Sequence, residues 1–166
     1  MNNQNQSPST AVRSSADIEQ GCIDLIARME ASVSSAREST PGAHLENSAE
    51  TCDKLLNSLL DFSEDFLHGS EAEEVKTVIL SAAYAKSAHR EVLDNRPWSS
   101  AIKGIFGGAD KDENVRETHE QLKKNLMHAC AITLQKAVTV VGADSETGKM
   151  IVQSSEVLID EFAQYW

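Results

Sequence analysis

Two long stretches of helical apolar periodicity are separated by only two residues, and this spacing constrains the fold more than any other feature. The second predicted helix covers about residues 45–67 and ends at His68, and the third covers about residues 71–94, with apolar residues recurring every three or four positions. Gly69 suits the left-handed end of a helix, and Ser70 with Glu73 forms the pattern of a capping box that starts one. A connection this short predicts an antiparallel helical hairpin.

The same periodicity predicts three more long helices. The first follows a start signal, Ser14 with Asp17, and is stopped at Pro41. The fourth covers about residues 110–141 and the last about residues 146–165. The inward positions predicted for the third and last helices are Val75, Val78, Ile79, Ala82, Ala85, Ala88, Val92, Met150, Ile151, Leu158, Phe162 and Tyr165.

A short segment between the third and fourth helices is dense in large apolar residues and glycine. Trp98, Ile102, Ile105 and Phe106 are spaced as one face of a short amphipathic helix that Gly107-Gly108 ends. One interpretation is a lid over an end of the bundle, which is favoured because most apolar helical faces are core. The other is an exposed anchor for a protein partner or a membrane surface, with these four residues as the candidate partner-binding site.

These elements together predict an all-α, up-and-down bundle of about five long helices plus one short amphipathic helix. We expect a single helical-bundle domain over residues 15–166. The β-branched run at residues 137–141 stays helical in this prediction, because its apolar positions continue the upstream phase. Residues 1–14 are mostly Asn, Gln, Ser and Thr, with almost nothing to bury, and predict a disordered polar tail.

Composition excludes several classes of function. The 166 residues include 15 Lys and Arg against 26 Asp and Glu, a formal net charge of −11. Nucleic-acid binding is not expected, because it depends on clustered basic side chains. No transmembrane segment is expected, because the longest apolar runs span only a few residues. Cys22, Cys52 and Cys130 match no zinc or redox spacing, so we expect buried free thiols in a reducing compartment.

Histidine is the other residue type that could carry chemistry. The Glu-x-x-His pairs of helical di-metal sites are missing. His89 and His119 lie on or near inward faces and could meet across the bundle, which makes them the weak candidates for a metal or haem site. Two inward histidines are more often satisfied core residues, so we expect no metal and no cofactor. Without a Gly-x-Ser-x-Gly elbow or an activated thiol, we also expect no enzyme activity.

Three hypotheses for the function follow. The leading one is a non-enzymatic, acidic helical module for protein–protein interaction in a bacterial cytoplasm: an adaptor, a chaperone-like protein, an inhibitor or an immunity protein, as a monomer or a homo-oligomer. The second starts from residues 1–20, whose composition resembles the Asn-, Ser-, Thr- and Gln-rich N-termini of substrates of bacterial type III secretion. That resemblance implies a secreted effector, or its targeting bundle, that leaves the cell through a leaderless export system. The third hypothesis is a metal- or ligand-binding bundle.

Overall fold

The apolar periodicities produce helices and no strand in the part of the chain that the structure, a computed structural model, describes: residues 14–95 and 112–166. The helices are α1 (Ser15–Glu38), α2 (Pro41–Phe66), α3 (Gly69–Asp94), α4 (Asp112–Val141) and α5 (Glu146–Tyr165). The all-α bundle is therefore confirmed, and the run at residues 137–141 is helical as predicted. Within the same ranges, no helix has the length and apolar character needed to cross a membrane.

The α2–α3 pair is antiparallel, as the contacts between the two helices show. Lys86 of α3 forms an ion pair with Asp53 of α2. Further along α3, His89 binds the backbone of Leu45, which lies further back along α2. The residue numbers of the contacts decrease along α2 as they increase along α3, so the two helices run in opposite directions. The predicted hairpin is therefore confirmed.

The next helix reverses direction in the same way. Glu74, early in α3, binds Lys136, late in α4, at 2.9 Å. His89, late in α3, contacts Thr118, early in α4, at 2.8 Å. The end of α3 therefore lies beside the beginnings of α2 and α4, while α5 packs against both α4 and α1.

Several helix ends follow from local signals in the sequence. The Ser14 Oγ accepts a hydrogen bond from the Asp17 backbone N–H at 3.2 Å, and the Asp17 carboxylate accepts one from the Ser14 N–H at 3.3 Å. This is the complete capping box expected at the start of α1. Gly142 follows α4 with a φ of 91°, a conformation that a Cβ would strain, and α4 ends where predicted.

The predicted start of α2 is wrong. Pro41 is the first residue of α2, which begins four residues earlier than the predicted residue 45. Proline is favoured at the first helical position because its missing N–H would have no acceptor within the helix there. The Pro41 signal therefore both ends α1 and begins α2.

The position of the reversal between α2 and α3 also differs from the prediction. Leu67 and His68 connect the helices, α3 begins at Gly69 with a φ of 60°, and His68 is the N-cap without a side-chain cap bond. The predicted capping box of Ser70 and Glu73 is therefore wrong, since Ser70 already lies in the first turn of α3. The reason is burial: Leu67 has an extended backbone and is 3% exposed, so its insertion into the core places the turn there.

All five helices contribute to one apolar core. Fully buried side chains from successive helices are Met29, Leu59, Val75, Leu122 and Phe162. The helix α2 packs against three neighbours, α1, α3 and α4. The core includes most of the inward positions predicted for the third and last helices.

Two predicted inward positions are wrong, and helical phase explains both. Ala88 is exposed, because His89 continues the four-residue step from Ala85 and is fully buried. Tyr165 is 37% exposed, whereas Trp166 is 2% exposed and continues the four-residue step from Phe162. The inward face of α5 thus ends on tryptophan rather than tyrosine.

Gly148→Ala should lower the free energy of unfolding by roughly 1–3 kcal/mol, the usual cost of overpacking. A Cβ on Gly148 would lie 2.1 Å from the carbonyl oxygen of Gly142, so the turn between α4 and α5 would have to move. Gly42→Ala is the matched control, because nothing lies within 4 Å of its Cβ. Alanine is the better helix former, so the control should be neutral or up to about 1 kcal/mol more stable. Urea unfolding curves measure both, and equal stability of the two variants would contradict this turn geometry.

Candidate functional site

Four aromatic rings from four different helical segments meet at one end of the bundle. They are His44 of α2, His89 of α3, His119 of α4 and Trp166, which follows α5, and we call them the aromatic cluster. The His119 ring stacks on the Trp166 ring at a centroid distance of 5.4 Å and an interplanar angle of 13°. The His44 ring lies edge-on to both, 5.4 Å from His119 and 4.9 Å from Trp166. The His89 ring lies 5.7 Å from His119, so the two inward histidines of the sequence prediction do meet.

His89 is held by hydrogen bonds on both ring nitrogens. Its Nε2 lies 2.9 Å from the Leu45 carbonyl oxygen and 2.8 Å from the Ser48 Oγ. Its Nδ1 lies 2.8 Å from the Thr118 Oγ1. Because a carbonyl oxygen only accepts, Nε2 carries the proton and donates to Leu45. His89 thus links α3 to α2 and α4, and neither nitrogen can bind a ligand without losing these bonds.

His44 and His119 present the opposite case. Both rings are buried, at 6% and 4% exposure, and the Nε2 atom of each has no hydrogen-bond partner among the described residues. Burial, together with the proximity of His44, His89 and Lys123, lowers the pKa of His119 to about 4. Burial also lowers the pKa of His44, although a hydrogen bond to the Trp166 backbone opposes this effect. Both rings are therefore neutral at pH 7.

Trp166 closes the aromatic cluster against α1. Its indole Nε1–H donates to the Ser32 Oγ at 3.3 Å, and its ring also contacts Phe162 at a centroid distance of 6.1 Å. Among the described residues, no group of three or more His, Cys, Asp or Glu side chains is arranged to hold a metal ion. What the cluster can do chemically is respond to acid, because its buried imidazoles would have to gain charge next to other cations.

The three cysteines lie in apolar surroundings on three helices. Burial, with a smaller contribution from Glu19, raises the pKa of the Cys22 thiol to about 11. Burial raises the pKa of Cys52 to about 12 and also raises that of Cys130. Since the thiolate is the reactive form, these residues lack the environment of a nucleophile.

Native thiol labelling should therefore be slow. We expect a maleimide or disulfide reagent at pH 7 to react with all three free, buried cysteines only after unfolding. The labelling rate in denaturant supplies the control, since the same thiols are then accessible. Rapid, selective labelling of one cysteine in the native protein would contradict this prediction and restore it as a candidate nucleophile.

A second candidate site is the outer side of α3, opposite its buried side. Leu80 is 53% exposed and Tyr84 is 69% exposed, one helical turn apart on the same face. Thr77, Ser87 and Ala88 surround them, and all three are exposed and uncharged. We call these five residues the α3 face. The signal for it in the sequence is the apolar pair Leu80 and Tyr84, which lies off the predicted inward stripe.

Carboxylates mark both ends of the α3 face. Glu73 lies seven residues before Leu80, and Glu91 lies seven residues after Tyr84. Both are exposed, and neither forms an ion pair with another described residue. Glu91 lies 18 residues after Glu73, which is five full turns at 3.6 residues per turn. Glu73 and Glu91 therefore lie on the same side of α3 as the apolar pair.

Three sequence predictions fall on residues 1–13 and 96–111, which lie outside the described part of the chain. They concern most of the polar tail, the start of the fourth helix at Asp110, and the partner-binding candidates Trp98, Ile102, Ile105 and Phe106. The choice between lid and anchor, and the hypothesis of an export signal at residues 1–20, therefore stay predictions from the sequence.

Comparison with known proteins adds no family to these observations. No protein-family model matches the chain, and no curated protein and no solved structure shows significant similarity to it.

Proposed function

We propose that this protein is a non-enzymatic helical module for protein–protein interaction and that it binds its partner through the α3 face. The observation that carries the proposal is the exposure of Leu80 and Tyr84 on one turn of a helix whose other side is buried. Tyrosine is enriched among the residues that dominate binding energy at interfaces, because it buries a large rigid ring. Among the residues that the structure describes, the other exposed large apolar side chains belong to α1 and α5.

The scaffold beneath this face supports a binding role. Lys86 binds Asp53 of α2 on one flank of α3, and Glu74 binds Lys136 of α4 on the other. His89 adds hydrogen bonds to both neighbours. A helix fixed on both flanks presents its outer side chains without much ordering cost on binding.

The chemistry of the described residues favours binding over catalysis. The three cysteine thiols have raised pKa values. The buried histidines are neutral at pH 7 and lack a carboxylate partner in the aromatic cluster. Free, buried cysteines also suit a reducing compartment, so we propose the cytoplasm as the site of action.

Site-specific photo-crosslinking in the producing cells tests the proposal. A p-benzoylphenylalanine residue replaces Tyr84, and the matched control carries it in place of Val157, which is 57% exposed on α5. We expect a discrete crosslinked protein from position 84 only, and its loss when Leu80→Asp is added. Neither Tyr84→Ala nor Leu80→Asp should lower the melting temperature substantially, because exposed positions tolerate change. No crosslink from position 84, or one that is also obtained from position 157 or survives Leu80→Asp, would overturn the proposal.

A further inference from the structure

The charge pattern of the α3 face specifies its partner, an inference that depends on the binding function proposed above. We infer that the partner presents an amphipathic helix whose apolar centre covers Leu80 and Tyr84 and whose two ends carry Lys or Arg.

The spacing on α3 is symmetric about the apolar pair. Glu73 and Glu91 lie five turns apart, about 27 Å along the helix axis, with Leu80 and Tyr84 between them at equal distances from the ends. An amphipathic helix binds through apolar side chains spaced one turn apart, and charged side chains at its ends add affinity when they face charges of the opposite sign. A complementary helix therefore needs basic side chains about 27 Å apart, with apolar side chains midway.

A second copy of this chain does not fit the same face. If two α3 helices pack antiparallel about a two-fold axis, Leu80 of one meets Tyr84 of the other, but Glu73 meets Glu91 at both ends. If they pack parallel, each carboxylate meets its own copy. Like charges opposite each other oppose association, and two chains of net charge −11 also repel at longer range.

The cations nearest to the α3 face do not neutralise its ends. Lys86 and Arg90 both bind Asp53, at the flank toward α2. Lys76 is half-buried and forms no ion pair with Glu73. Glu73 and Glu91 are therefore available to a partner, whereas the basic groups of α3 are largely engaged within the bundle.

Synthetic helices provide a direct test. One peptide has an apolar stripe and a Lys pair at each end, 18 residues apart, and the matched peptide has Glu at the same positions. Fluorescence anisotropy measures the Kd of each for the full chain at low and high salt. We expect the Lys peptide to bind roughly tenfold tighter at low salt, with much of the difference lost at high salt, since the ionic interactions are exposed.

Protein variants separate the charge pattern from the face itself. Glu73→Gln with Glu91→Gln should weaken the Lys peptide roughly threefold to tenfold and leave the Glu peptide no weaker. Leu80→Ala with Tyr84→Ala should abolish binding of both peptides while circular dichroism stays helical. If both peptides bind equally and the Leu80 and Tyr84 variant binds neither, the inferred charge pattern is wrong and the binding function stands.

Three further results would contradict the inferred partner, and one of them would also contradict the proposed function. Binding that survives loss of Leu80 and Tyr84 would contradict both the inference and the proposed function. A failure of both peptides to bind, together with crosslinking from position 84 in cells, would overturn the basic-helix partner alone. A dimer in sedimentation that is lost with Leu80 and Tyr84 would show that a second copy is the occupant, against this inference.

Discussion

Trp166→Ala should lower the free energy of unfolding by about 3–5 kcal/mol, the range for removing a buried aromatic side chain. The indole is 2% exposed, stacks on His119, lies edge-on to His44, and donates a hydrogen bond to Ser32 of α1. Its loss would leave a cavity where α1, α2, α4 and α5 meet. Urea unfolding at pH 7 measures the change.

Tyr165→Ala is the matched control for this prediction. Tyr165 is 37% exposed, and its ring lies 5.7 Å from the Arg37 guanidinium carbon. An exposed cation–π contact is worth about 0.5–1 kcal/mol, so the control should lose about 1 kcal/mol or less. If Tyr165→Ala were the more destabilising of the two, the phase of α5 would be wrong by one residue.

Acid should destabilise the protein through the aromatic cluster. The pKa of His119 is about 4 when folded and 6.5 when unfolded, so the unfolded chain binds the extra proton between these values. The contribution of His119 to the free energy of unfolding is therefore fully present well above pH 6.5 and is lost as the pH falls toward 4. Going from pH 7 to pH 5 should cost about 2 kcal/mol through His119. His44 and His89, whose pKa values are also lowered, add to the loss.

A histidine variant isolates this effect from the titration of carboxylates. His119→Gln cannot gain a proton, so the difference in unfolding free energy between pH 7 and pH 5 should shrink by about 2 kcal/mol, whatever its stability at pH 7. His128→Gln, at an exposed position on the same helix, should keep the wild-type pH profile. A His119→Gln profile as steep as that of the wild type would show that His119 is not a buried neutral imidazole.

Local signals were sufficient to predict most of the bundle. The capping box at Ser14, the terminator at Gly142 and the bounds of α5 all depend on residues close in sequence, and the structure has them where expected. The reversal at Leu67 was missed because it depends on burial of that side chain against other helices. Turn chemistry at Gly69-Ser70 alone could not reveal this.

The candidate sites were harder to predict, for two different reasons. The aromatic cluster is a tertiary arrangement: periodicity indicated that His89 and His119 face inward, but His44 and Trp166 lie near helix ends, where phase is poorly defined. The apolar pair of the α3 face lies off the predicted inward stripe, so a search for core positions passes over Leu80 and Tyr84. The exposed fraction of both side chains has to be known before such a pair can be distinguished from ordinary surface residues.

The most direct test of the cluster that joins the four helical segments is a proton NOE measurement. The chain has two tryptophans, so the Trp98→Phe variant leaves Trp166 as the single source of indole signals. At pH 7 we expect cross-peaks from the Trp166 indole protons to the ring protons of both His119 and His44, whose centroids lie 5.4 and 4.9 Å away. An indole with no NOE to either imidazole in a folded, helical sample would contradict the assembly of α2, α4 and α5 at this end of the bundle.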